Sequence, residues 1–281
     1  MEKNVIGGIS YFNPLIDGDS AWFVASSIPA TIRSNFTQPP VHVTIRDLRG
    51  KEKSVSLDKN GFELAEYSGS VQEEFAEDSE LQKTYFQQIS SLLEKRLGAS
   101  RVIICHHAFR SRNLLLSDEQ CSDTYRNPVF HPHVDADSLT AKEWVDDSIG
   151  TDESEKARKN RFQMINVWRP LGNNPIVNNP LAICDYSSID ITTDIHPLTI
   201  RRVDHVATAY TISQSKQNPH RWYYLSEMRS NEMFLFKNYD SKPDVARFAV
   251  HTAFHNDTVS PSQTEQKSIE LRCLIFYDEQ S

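Results

Sequence analysis

The sequence contains no apolar run approaching the roughly 18 residues that a membrane-spanning helix requires, so no membrane partner is expected. Its first residues, Met1-Glu2-Lys3-Asn4, lack the apolar core of a signal peptide, and a cytoplasmic protein is expected. Basic residues are in deficit, with 30 Lys and Arg against 38 Asp and Glu and a net charge of −8. A general nucleic-acid binder would carry a basic face instead, so no nucleic-acid partner is expected. Cysteine is scarce: Cys105, Cys121, Cys184 and Cys273 have no paired spacing such as C-x-x-C. They read as reduced thiols of an intracellular protein, and neither a zinc site nor a disulfide framework is implied. No internal repeat or low-complexity tract is present.

What remains is a chain of 281 residues, 38% hydrophobic and 24% charged, long enough to bury a substantial core. Residues 1–40 read as irregular, with Gly7-Gly8 and Pro39-Pro40 as punctuation and Tyr11, Phe12, Trp22 and Phe23 as aromatic anchors. Val41 to Ile45 reads as a strand that carries His42 as a structural histidine. Ser54 to Leu57, a turn over Asp58 to Gly61, and Phe62 to Leu64 suggest strand, turn and strand. Residues 1–78 are thus expected to be an extension packing on a core formed by 79–281. Ser79 can cap a helix in which Leu81, Tyr85, Ile89, Leu92 and Leu93 share one face, ended by Gly98. Arg101 to Cys105 reads as a buried strand, and the adjacent His106 and His107 would point to opposite faces. In 138–161, Ala141 to Val145 suits a helix, whereas Asp146 to Lys159 is highly charged and reads as a solvated loop or lid. Short strands follow at Phe162–Pro170, Leu181–Asp185, 203–211, Trp222–Leu225, Met233–Phe236, Phe248–Phe254 and Ile269–Tyr277. Their spacing suggests a sandwich or barrel. The expected fold is mainly β with flanking helices, a double-stranded β-helix (jelly-roll, cupin-like) in one domain spanning 1–281.

One stretch organises the chemistry. In His133-Val134-Asp135, residues two apart on an extended strand share a face, so an imidazole and a carboxylate project together. Joined by a second histidine, they would form the 2-His-1-carboxylate group that suits non-haem Fe(II). His251, in the strand-like run Arg247 to Phe254, is the expected third ligand. His255, in a turn-like context, and Asp137 are its rivals and Asp135's, and His131 shares the strand face as a supporting residue. Ser268, Glu270 and Arg272 share one face of the last strand. A buried arginine there needs an anion, and its fork matches a carboxylate such as the far end of 2-oxoglutarate. Its guanidinium is expected several ångströms from the metal, unless it pairs internally with Glu270. Trp168 and Arg169 could line the pocket mouth, or Trp168 could be core and Arg169 could pair with Asp185. Tyr125 and Arg126 lie just upstream of the motif, either near the substrate or on the surface.

His133-x-Asp135, His251 and Arg272, in that order, are similar to the Fe(II)/2-oxoglutarate-dependent dioxygenase superfamily. Six further segments resemble its fungal secondary-metabolism hydroxylases and desaturases, the gibberellin-desaturase-like and cephem-methoxylase-like proteins. They are Ile165 to Leu171, Pro180 to Asp185, Trp222 to Met228, Phe236 to Ser241, His251 to Phe254 and Ser268 to Arg272. The similarity runs from about residue 100 to the end. One departure is Glu265-Gln266-Lys267-Ser268, where the family often has Pro-Arg-x-Ser. If that arginine holds the co-substrate in relatives, Gln266 cannot, and Arg272 must. The resemblance implies Fe(II), 2-oxoglutarate and O2 as cofactor and co-substrates. It also implies a small secondary-metabolite or amino-acid-type substrate oxidised at an unactivated C–H bond by hydroxylation, desaturation or cyclisation. Two alternatives stay open: a cupin-like hydrolase or isomerase without 2-oxoglutarate, and a non-catalytic jelly-roll binding protein, because fold does not dictate function.

Overall fold

The computed structural model describes residues 4–15, 20–24, 32–111, 120–122, 125–201, 206–260 and 264–278. In chain order the elements are β1 (Val5–Ser10), β2 (Ala21–Val24), β3 (Pro40–Asp47), the one-turn α1 (Leu57–Asn60), β4 (Phe62–Glu66) and α2 (Glu80–Leu97). Then come β5 (Arg101–Ser111), β6 (Tyr125–Arg126), β7 (His133–Val134), α3 (Ser138–Ile149), α4 (Thr151–Ala157) and β8 (Phe162–Leu171). The remainder is β9 (Leu181–Cys184), β10 (Ile195–Arg201), β11 (Val206–Ile212), β12 (Trp222–Tyr224), β13 (Glu232–Asp240), β14 (His251–Ala253), β15 (His255–Asn256) and β16 (Lys267–Phe276). A ten-stranded sheet runs β15-β1-β3-β12-β9-β14-β7-β11-β10-β2, and a six-stranded sheet runs β4-β13-β8-β16-β5-β6. Leu181 and Ile183 of the first pack with Trp168, Phe234 and Phe236 of the second, so the two sheets face one another as a jelly roll.

The smaller sheet is covered on its other side by α2, which explains why β8 is buried along its whole length and β16 at every position after Lys267. Ser79 Oγ accepts from Gln82 N at 3.1 Å, and Gly98 ends the helix in the left-handed region at φ 67, where glycine has no Cβ penalty. Tyr85, Ile89 and Leu93 of α2 pack on Ile165, Val167, Ile269, Leu271 and Cys273; each such burial contributes about 1.5–3 kcal/mol. Period-two alternation then turns Asn166, Trp168, Ser268, Glu270 and Arg272 toward the space between the sheets.

Several expectations are corrected. Ser54 to Leu57 is not a strand: Glu52–Ser54 is a 3-10 turn, and Asn60 Oδ1 accepts from Ser56 N at 3.0 Å to close α1. Gly7-Gly8 is not a break but the middle of β1; a Cβ at Gly7 would stand 2.7 Å from Phe254 and Ile45 side chains, a close approach that only glycine permits. Residues 146–159 are not a loop. They form the end of α3 and then α4, joined at Gly150, with Ser154 and Arg158 both bonded to Asp146. The charges face outward, while Ala141 and Val145 pack on Phe162, Met164 and Leu274. Positions 203–205 of the expected strand at 203–211 lie outside the described residues, and β10 and β2 beside it had no strand reading.

Arg169 also departs from expectation. It is fully buried beneath α2, on the sheet face opposite the site. It donates to Tyr85 Oη at 2.9 Å, to Ser230 O at 2.5 Å and to Val71 O, with the Tyr67 ring 4.0 Å from its guanidinium carbon. Asp185, its expected partner, instead accepts from Arg221 at 3.0 Å. A lysine cannot reproduce that planar fork, so Arg169→Lys should lower the urea midpoint, by a loss of about 2–4 kcal/mol. It should leave divalent-metal affinity unchanged; a fall in metal affinity without a fall in stability would place Arg169 in the site after all.

Candidate metal centre

β7 lies between β14 and β11, with His133 opposite His251 on one side and Thr211 on the other. Strand register alone therefore sets the two imidazoles side by side, ring centroids 4.5 Å apart. Asp135 follows β7 and turns inward, and one ligand-type atom from each of His133, Asp135 and His251 lies within 4.8 Å of the others. His133 Nε2 is 3.3 Å from Asp135 Oδ1, and His251 Nε2 is 3.9 Å from Oδ2.

The backbone selects the imidazole tautomers. His133 Nδ1 is 2.8 Å from His131 O, and His251 Nδ1 is 3.1 Å from Ala249 O. Each Nδ1–H donates to a carbonyl, which leaves both Nε2 lone pairs directed inward as metal ligands require. Burial, reinforced by His133, pushes the His251 pKa down to about 4, so it is a neutral donor at physiological pH. His131 supports the site through its carbonyl. Its own ring is driven to about 3 by burial and by the neighbouring histidines, and its Nε2 has no hydrogen-bond partner among the described residues.

Asp135 is held from the opposite side. Oδ2 accepts from Arg272 Nη2 at 2.8 Å and Asn166 Nδ2 at 2.6 Å, with Asn238 Nδ2 at 3.5 Å. Burial acts to raise the carboxyl pKa, but Arg272, the His133 contact and His251 outweigh it and hold the group well below the usual carboxylate range. The arginine is thus bonded to the carboxylate itself, a partner that the sequence reading had not named for it. Trp144 of α3 covers the guanidinium, its ring centre 5.4 Å from the central carbon. Glu270 does not take up Arg272 as a hydrogen-bond partner; its neighbour is Arg110 at 3.4 Å. Two polar atoms on this face, Arg272 Nε and Ser268 Oγ, are buried without a partner among the described residues. Two imidazole nitrogens, one ionised carboxylate and an unsatisfied donor beside them fit a small divalent cation with an anionic co-ligand.

The other candidates scatter. Trp168 faces inward but is a core residue, 2% exposed and packed with Phe234 and Ile183. Tyr125 packs with Phe109 and the α2 cluster, away from the triad. Arg126 Nε donates to Ser122 O at 3.4 Å. His255 is exposed and stacks on Phe130, ring centroids 4.3 Å apart. Asp137 caps α3 by accepting from Leu139 N and Thr140 N. Gln266 accepts from Val177 N and Asn178 N, tying down their loop. His107 lies among Phe75, Phe86 and Phe109, while His106 meets Trp144 on the other face. Sequence reasoning missed Asn166 and Asn238, although both fall in segments that carried the family resemblance.

A jelly roll that gathers two histidines and a carboxylate between its sheets is built like the non-haem iron oxygenases, and that class is the one this fold and site define. More narrowly, the chain belongs to the oxidoreductase/YMDC permease-like domain family, whose profile matches residues 9–276. It is 28% identical to the hydroxylase/desaturase efuI of Hormonema carpetanum over 97% of this chain and 95% of that one. It is 29% identical to the Fe(II)/2-oxoglutarate-dependent dioxygenase nvfI of Aspergillus novofumigatus over 88% and 87% of the two chains. A solved structure of the iron and alpha-ketoglutarate-dependent endoperoxidase NvfI superposes with a TM-score of 0.82 at 26% identity, covering 98% of each chain. The chain is thus an Fe(II)/2-oxoglutarate-dependent dioxygenase by class. No helix among the described residues is long and apolar enough to cross a membrane.

The geometry makes the ligand assignment testable without turnover. Co(II) titrated anaerobically should bind wild-type protein once, and Asp135→Ala or His251→Ala should lose that binding while keeping the far-UV circular dichroism of the native fold. His255→Ala should titrate like wild type. If His255→Ala abolishes binding and His251→Ala does not, the third ligand is wrongly assigned.

Proposed function

We propose that the whole chain is one dioxygenase domain in which His133, Asp135 and His251 hold Fe(II) while Arg272 and Ser268 receive 2-oxoglutarate. Its reaction oxidises an unactivated C–H bond of a small secondary-metabolite or amino-acid-type molecule, by hydroxylation, desaturation or oxidative cyclisation. The observation that carries this reading is the pair of buried, unpartnered atoms, Arg272 Nε and Ser268 Oγ, on the same strand face as the bond to Asp135. Bound Fe(II), with 2-oxoglutarate and O2, supplies the oxidising power that removes hydrogen from carbon. The four cysteines are all free thiols, which supports a reducing, cytoplasmic setting.

The chain's own residues have three tasks in this reading. His133 and His251, each with its Nδ1–H fixed by a backbone carbonyl, turn two Nε2 atoms inward as nitrogen ligands. Asp135 contributes one ionised oxygen, its charge sustained in a buried place by Arg272. Arg272 keeps Nε for an incoming carboxylate, a charge-assisted bond, and Ser268 Oγ adds a neutral one. Above them α3 seats Ala141 and Val145 on the inner apolar cluster, excluding water from one end of the roll, which strengthens every charge interaction within.

Arg272 thus serves both carboxylates, and its removal should show on both. In anaerobic calorimetry of the Fe(II)-loaded protein, Arg272→Ala should raise the 2-oxoglutarate Kd at least tenfold, since one such bond is worth about 1.5–3 kcal/mol. Fe(II) affinity should fall as well, because Asp135 Oδ2 loses a donor. Ser268→Ala should shift 2-oxoglutarate in the same direction by less, with metal affinity intact. Identical titrations of wild type and Arg272→Ala would make the arginine structural. A wild type that binds Fe(II) but shows no 2-oxoglutarate binding, and no succinate release with O2, would favour the cupin-like hydrolase.

A further inference from the structure

The ladder between β13 and β8 breaks at one place. Phe236 stands opposite Asn166 and Lys237 opposite Ile165, but the next partner of Met164 is Tyr239, so Asn238 is an extra residue, a β-bulge. A regular strand would send 236, 238 and 240 to one face and 237 and 239 to the other. The bulge lets two successive side chains, Asn238 and Tyr239, point inward. Tyr239 packs with Phe162 and Met164, while Asn238 is 1% exposed and reaches Asp135. Asp240 is shifted outward to meet Lys237 at 2.6 Å, a pair that regular alternation would place on opposite faces.

At the inner face the amides close a circuit. Asp135 N donates to Asn238 Oδ1 at 3.4 Å, Asn238 Nδ2 donates to Asn166 Oδ1 at 2.8 Å, and Asn166 Nδ2 donates to Asp135 Oδ2 at 2.6 Å. An asparagine amide has an acceptor side and a donor side, and Asn166 is fully buried, without water to compensate a wrong orientation. Turned over, it would set its oxygen against the Asp135 carboxylate. What prevents this is the N–H that Asn238 gives to Asn166 Oδ1. With Arg272 also on Oδ2, that oxygen is held by three side chains, whereas Oδ1 takes none of these donors and lies 3.3 Å from His133 Nε2.

We propose that Asn238 is a positioning residue for the metal carboxylate: through Asn166 it clamps Asp135 Oδ2, so that Asp135 binds a divalent cation through Oδ1 alone. Such one-oxygen binding keeps a coordination position free for the co-substrate. Bulges beside active sites re-aim side chains in this manner, and partners of metal ligands typically govern affinity by 10–100-fold. The proposal rests on the triad reading above and concerns only how its carboxylate is held.

The test uses Co(II) alone, titrated anaerobically into the full chain and followed by calorimetry and by visible absorption. Asn238→Ala should bind Co(II) about 10–100-fold more weakly. Its spectrum at saturation should also differ from wild type, because a carboxylate free to turn presents both oxygens. Asn238→Asp keeps the size and the bulge but has no N–H for Asn166, so it should behave alike even if the alanine variant folds poorly. The Asn166→Ala, Asn238→Ala double variant should lose less than the sum of the two single losses, since the second amide acts mainly through the first and its direct contacts to Asp135 are long, 3.4 and 3.5 Å. Additive losses would overturn the relay. A variant with a lowered melting temperature but wild-type Co(II) affinity and spectrum would show a merely structural asparagine and overturn the proposal. If wild-type protein itself binds no Co(II), the triad reading fails first and takes this one with it.

Discussion

A carboxylate largely withdrawn from water must be compensated or it takes up a proton, and the architecture around Asp135, whose side chain is 13% exposed, answers that requirement. Arg272 supplies the opposite charge, Asn166 a second hydrogen bond, and the two histidines the remaining neighbours. Each of these comes from a different strand: β16, β8, β7 and β14. The ion can persist only where all four strands are in register, so the chemistry of the centre depends on the pairing of both sheets. Arg272 has the converse difficulty, a guanidinium that needs an anion, and the two meet each other's need.

The same logic of alternation orders the rest of the smaller sheet. Odd-numbered positions of β8 and β16, such as Ile165, Val167, Ile269 and Leu271, go to α2, and even-numbered ones, such as Asn166 and Arg272, go to the interior. Arg169 takes an outward position, and there its charge is met by carbonyls, a phenol and aromatic rings rather than by substrate. The register shift in β5 beside Arg272 and the one in β13 at Asn238 both occur at the level of the His133, Asp135 and His251 cluster. In β13 the shift serves two ends, an inward amide for Asp135 and an outward carboxylate for Lys237.

Much of this was legible in the residues. The period of two in His133-x-Asp135 and the alternation of Ser268 and Arg272 needed no coordinates, and the helix from Ser79 to Gly98 carried its own cap and stop. The departures have particular causes. Gly7-Gly8 looked like a break because the aromatic ring that packs on it, Phe254, is some 250 residues away in the chain. The charged run after Asp146 looked like a loop because its anchors, Ala141 and Val145, precede it and its internal lock of Ser154 and Arg158 on Asp146 is a tertiary-scale detail of two short helices. Trp168 and Arg169 were adjacent and equally plausible at a pocket mouth; which face each took depended on the phase of a ten-residue strand buried on both sides.

By itself the sequence determined which residue types could be near neighbours: a histidine and an aspartate on one strand face, an arginine on another, and the strand-rich order that makes a jelly roll. Short-range periodicity suffices for that, since it depends only on backbone geometry within a strand. Only the tertiary structure decided that His251 rather than His255 stands opposite His133, that Arg272 grips Asp135 directly, and that Asn238 turns inward. Those outcomes follow from inter-strand register and from one extra residue in a ladder, and a shift of a single position reverses every side chain. No local pattern in the chain carries that phase; the pairing of distant strands sets it.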